Sequence, residues 1–171
     1  MKKFLICLLG LLLSIRVSLS QTVICHELTD PGECVTLFMV AKTYVKDTNV
    51  TIIYQPYEPL QRGFNGITWK YHKHLYLISL SGFQQNEAER LWALLHEMGH
   101  VIDFYSGRLE TNPVKWKGKE VDPNLPWDQR PWERSAEKWA RKLWKEIMGR
   151  EPTKIFMEHR AINEDHYKCI D

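Results

Sequence analysis

Between residues 94 and 103 the chain reads LLHEMGHVID, and no other stretch constrains the fold as tightly. His96, Glu97 and His100 interrupt an apolar run whose spacing is that of a buried helix. On a helical wheel Leu91, Leu94, Leu95, Met98, Ile102 and Tyr105 form one stripe. Trp92, His96, Gly99, His100 and Asp103 form the stripe beside it. Imidazoles and a carboxylate are costly to bury without partners. Any fold that packs this helix must therefore bring a polar or ionic group against the second stripe.

Histidines at i and i+4 lie one turn apart on the same side of a helix. Both rings can then aim at one ion about 2.0–2.1 Å away. Glu97 falls beside that stripe, within reach of a water on such an ion but angled away from ligation. Gly99, between the histidines, is expected to leave room for a strand or a substrate. His-Glu-x-x-His on a helix is the arrangement in which zinc acidifies a water and the glutamate takes its proton. The residues predict His96 and His100 as metal ligands, Glu97 as general base and Zn2+ as cofactor.

A catalytic zinc needs a third protein ligand and an open position. The segment RPWERSAEKWARKLWKEIMG reads as a second strong helix, opened by Pro131 and closed by Gly149. Its apolar face holds Trp132, Ala136, Trp139, Leu143 and Ile147, with Glu133 and Glu137 one turn apart on its border. Glu133 is the expected third ligand, and Glu137 the partner of a ligand histidine's outer nitrogen, with the two roles exchangeable. Asp103, one turn past His100, is either a second such partner or a helix-end acid. Tyr105, His72, His74, His159, His166 and Tyr167 are the candidates for stabilising an oxyanion.

The rest of the chain supplies a small sheet and a third helix. Asp30 and Pro31 open a helix over CVTLFMVAKTYV. NVTIIYQ reads as a strand ended by Pro56, and ITWKYHKHLYLISLS as a hairpin. Asn86 caps the histidine helix, with Glu89 as its capping-box partner and Gly107 at the far end. Residues 108–130, with three prolines, read as a long irregular connection, and Trp116 and Trp127 on it either line a cleft or pack. TKIFMEHRAI in the tail is a candidate short helix. The fold class expected is α+β.

Lys2 and Lys3 precede the apolar run from Phe4 to Leu13, and SIRVSLS follows. That order is a secretory signal peptide, residues 1–20, ahead of one domain spanning 21–171. The expected location is secreted or periplasmic, with no lasting membrane association. An uncleaved anchor is the alternative, though Arg16 cuts the run short of the roughly 20 apolar residues a span requires. Losing the leader's three cations takes the formal net charge from +2 to −1. A near-neutral domain without a basic run has no footprint for nucleic acid. Cys7 leaves with the leader, so Cys25, Cys34 and Cys169 form one bridge and one free thiol, with three pairings open. Asn49-Val50-Thr51 fits the N-glycosylation pattern of a eukaryotic secretory pathway.

His96-Glu97-Met98-Gly99-His100 and Glu133-Arg134-Ser135-Ala136-Glu137-Lys138-Trp139-Ala140 together resemble the gluzincin branch of zinc metallopeptidases, nearest the ImmA/IrrE-like family. The resemblance covers about residues 50–148. It implies a zincin-like domain, a small mixed sheet beside the active-site helix, and Glu133 as third ligand. It also implies an edge strand within Leu75–Ser81 that binds an extended peptide by strand addition. Many members of that family are cytosolic and act with DNA-binding partners, whereas this chain carries an export leader, so only the peptidase chemistry is carried over. The reading is an exported zinc peptidase acting on peptide or protein. A cell-wall amidase and a non-catalytic zinc domain that binds a partner are the alternatives.

Overall fold

The computed structural model describes residues 22–27, 29–58, 65–81 and 86–152. Residues 1–20, expected as a leader, the candidate helix TKIFMEHRAI, Cys169, His159, His166 and Tyr167 lie outside them. The architecture is mixed α+β, with three α-helices and a four-stranded sheet among the described residues.

Strand β1 (Thr22–Cys25) leads into helix α1 (Pro31–Tyr44), which Asp30 caps by accepting the N–H groups of Gly32 and Glu33 at 2.7 and 3.3 Å. A Cys25–Cys34 disulfide ties the strand's end to the first turn of α1, which selects one of the three open pairings. Strand β2 (Thr51–Glu58) returns parallel to β1. It runs past Pro56 instead of stopping there. Its ladder to the neighbouring strand shifts register between Gln55 and Glu58, which spares the proline a donor's role it cannot fill.

Strands β3 (Gly66–His72) and β4 (Leu75–Ser81) form the expected hairpin, but the sheet order is β1-β2-β4-β3. β4 pairs in parallel with β2 and antiparallel with β3, so it is an inner strand and cannot accept a peptide. Among the described residues the edge strand on that side is β3, which corrects the expectation from the resemblance. The composition of LYLISLS agrees, since a strand covered on both sides is apolar almost throughout.

Helix α2 (Glu87–Tyr105) carries the histidines. Asn86 caps its start by accepting the Glu89 N–H at 3.0 Å. Gly107, at φ +69°, ends it, and the Arg108 N–H returns to the Asp103 carbonyl at 2.9 Å. Leu94, Leu95, Met98 and Val101 are buried in one core with Ile52 and Tyr54 of β2 and Tyr76, Ile78 and Leu80 of β4. Beneath the disulfide, Arg90 donates to both carboxylate oxygens of Glu33 at 2.9 Å, and the Tyr54 hydroxyl donates to Glu33 at 2.8 Å. This network joins α1, α2 and β2.

The connection of residues 108–130 is more ordered than expected. It holds three two-residue strands, β5 (Leu109–Glu110), β6 (Lys115–Trp116) and β7 (Lys119–Glu120), and a 3-10 turn at Trp127–Gln129. Helix α3 (Pro131–Met148) then packs along α2, burying Trp132, Ala136, Ala140, Leu143 and Trp144. Among the described residues no helix is long and apolar enough to cross a membrane.

Candidate metal centre

Gly99 decides how closely α3 can approach α2. A Cβ on it would lie 2.9 Å from both the Ala136 Cα and the Trp139 Cβ, and 3.1 Å from the Ala136 carbonyl oxygen. The missing side chain makes room for α3, not for a strand or a substrate, which corrects the sequence expectation. A glycine facing an alanine lets two helices cross closely. It lies between His96 and His100 on α2, and Ala136 lies one turn past Glu133 on α3.

That crossing brings the acid to the imidazoles. The Glu133 Oε2 lies 3.1 Å from His96 Nε2 and 3.4 Å from His100 Nε2. The three potential donor atoms all fall within 4.8 Å of one another, and both histidines are buried. His96 is held on its other side too, because Glu137 Oε2 lies 3.5 Å from its Nδ1. The His96 ring meets His100 edge-on at 4.8 Å, and the Trp127 ring lies over it at 6.2 Å, tilted by 20°. Trp116, by contrast, packs partly buried against the core.

The electrostatics fit a cation. Burial pushes the His100 imidazole down, but the hydrogen bond and charge of Glu133, with Glu97 and Asp103 adding, leave it above its usual value. Burial pushes Glu133 up, and the two imidazoles overcome this and hold it well below the usual carboxylate range. Two nitrogens and an oxygen, buried and aimed at each other, are the donor types that zinc and related divalent ions take. His96, His100 and Glu133 can hold a metal ion.

Glu97 stays out of that trio and faces the sheet. The Thr68 hydroxyl of β3 lies 2.8 Å from Glu97 Oε2 and 3.0 Å from its backbone carbonyl. A Cβ on Gly66 would come within 2.9 Å of Glu97 Oε1 and 2.8 Å of its Cγ. Asp103 is fully buried and accepts the Trp139 indole N–H at 3.2 Å and the Arg108 guanidinium at 2.6 Å. Its partners therefore lie on α3 and in the connection. Burial raises its carboxyl, against Ser135, Arg108, Trp139 and His100.

Comparison with protein-family models, curated proteins and solved structures finds no match. What the centre can do rests on its geometry.

The described oxyanion candidates, His72, His74 and Tyr105, are not drawn to it. His72 accepts the His74 backbone N–H at 3.2 Å, and His74 lies 3.3 Å from Asp47, at the β3–β4 turn. That turn is beyond Lys70, whose ammonium sits over Phe104, two turns along α2 from Glu97. Tyr105 is partly buried against the core. Sequence reading missed Gly66 and Thr68, and left Trp127 open between lining a cleft and packing. Period-two alternation places Gly66, Thr68 and Lys70 on one face of β3. A glycine and a small hydroxyl on that face were the available signal, and nothing local says that Glu97 lies opposite.

Proposed function

We propose that this protein is an exported zinc-dependent peptidase with a zincin-like domain, of the kind its two motifs resemble. One observation carries the reading: His96, His100 and Glu133 come from two helices to a common point, while Glu97, their neighbour, is held apart by β3. Glu133 lies within 3.4 Å of both Nε2 atoms, so all three donors can turn toward one ion.

In this reading His96, His100 and Glu133 hold the ion, and Glu137 and the Trp127 ring keep His96 turned toward it. When bound, zinc supplies a Lewis acid that polarises a peptide carbonyl and acidifies a water. Glu97 takes the proton from the attacking water and delivers it to the departing amine. Its seat beside the ligands, rather than among them, keeps its carboxylate available for that transfer. Among the described residues β3 is an edge strand and runs past Glu97, so an extended peptide paired to it would bring its backbone to the base.

The test is Glu97→Gln. Bound zinc stays near one per chain by elemental analysis, while hydrolysis of an unfolded protein falls by about 10²–10⁴-fold. A wild-type protein that binds no zinc, or a variant that hydrolyses as well as wild type, refutes the proposal.

A further inference from the structure

Glu97 takes its orientation from a strand. Glu97 is 6 % exposed, and the Thr68 hydroxyl of β3 donates to its Oε2 at 2.8 Å. The same hydroxyl lies 3.0 Å from the Glu97 carbonyl, so its one proton is given to the nearer carboxylate or shared between the two acceptors. Two residues earlier on the same strand face, Gly66 leaves the space in which the Glu97 Cγ and Oε1 lie. A hydroxyl to hold the carboxylate and a missing Cβ to admit it form a seat, built wholly from β3.

We infer that Thr68 is the positioning residue of Glu97, and that the edge strand β3, through Thr68 and Gly66, sets where this carboxylate points. The helix supplies the glutamate, and the strand supplies its direction. This deepens the peptidase reading, on which its catalytic consequence rests. The contact itself stands apart from that reading, because it involves no metal ligand. Thr68 has one proton to donate, and a threonine side chain that keeps its shape but loses that proton, as in Thr68→Val, leaves Glu97 without its brace.

Two measurements separate the inference from the activity. In metal-free protein, denaturant unfolding is followed for Thr68→Val, Glu97→Ala and the double variant. The double variant is expected to unfold at a denaturant concentration well above that predicted by adding the single shifts, since each single change already breaks the contact. Additive shifts overturn the inference whether or not the protein is a peptidase. In zinc-loaded protein, Thr68→Val is expected to lower kcat on an unfolded protein substrate about ten-fold with KM and bound zinc unchanged, and Thr68→Ser to restore most of it. Rates equal to wild type for Thr68→Val, or a Thr68→Ser variant no better than Thr68→Val, overturn the positioning role. Non-additive unfolding in a protein without hydrolysis would uphold the seat and refute the peptidase reading alone. Should Thr68→Val not fold, Thr68→Ala replaces it in both measurements, against the same Thr68→Ser control.

Discussion

The Cβ that Gly99 lacks would sit 2.9 Å from the Ala136 Cα, and this pair sets the distance between the helices that carry the candidate ligands. Both neighbours at that distance are close to the backbone of α3, so neither can swing aside. Gly99→Ala is expected to cost about 1–3 kcal/mol of stability, as overpacking does. It also moves Glu133 away from His96 and His100. Denaturant unfolding and zinc content should fall together, and a variant that keeps both would show that α3 is not seated by this crossing.

Glu133 and Glu137 both approach His96, but at different nitrogens, 3.1 Å from Nε2 and 3.5 Å from Nδ1. Glu133→Ala should abolish stoichiometric zinc binding. Glu137→Ala should leave one site with affinity reduced about 10–100-fold, as losing an orienting partner does. Competition with a chromogenic chelator distinguishes the two, and the opposite ranking would exchange their roles.

Acid should empty the centre. An imidazole must be unprotonated to ligate, so proton uptake at His100 competes with the ion. Glu133 holds His100 above its usual value, so zinc retention is expected to be full above that raised value and to be lost as pH falls through it. Elemental analysis after gel filtration at stepped pH reads this directly, and zinc fully retained at pH 4 would argue against histidine ligands.

Arg90 and Glu33 are nearly buried and bonded twice, at 2.9 Å each, with Tyr54 sharing the acid. Arg90→Met leaves the carboxylate buried without its cation and is expected to cost about 3–5 kcal/mol. Adding Glu33→Leu should recover part of that loss, because no unpaired charge then remains. Unfolding midpoints of the single and double variants check the sign.

The Cys25–Cys34 bridge closes a short loop between β1 and α1. Replacing both cysteines with serine should lower stability by about 2–3 kcal/mol through the freed unfolded chain. Zinc content should be unchanged, since α1 contributes no ligand. A variant that unfolds at the wild-type midpoint would show that this bridge does not stabilise the fold.

Much of the centre was legible along the chain because a helix repeats every 3.6 residues. That period alone puts His96 beside His100 and Glu133 one turn from Glu137, and the apolar stripes and caps mark both helices nearly to their ends. Asp30, Asn86, Gly107 and Gly149 act where local chemistry says they should. Such information is short-range and is written in neighbouring residues.

Strand order is not written there. A hairpin read from alternation says that β3 and β4 pair, but not which of them β2 joins, and here β2 takes β4 and leaves β3 at the edge. For the same reason Thr68 gave no sign of its contact with Glu97, 29 residues away. Gly99 was recognisable as a gap in a helix face, while what fills it depended on α3 arriving from 37 residues further on. Sequence determined which side chains share a face. Packing between distant segments decided what each face meets, because only the folded chain brings those segments into van der Waals contact.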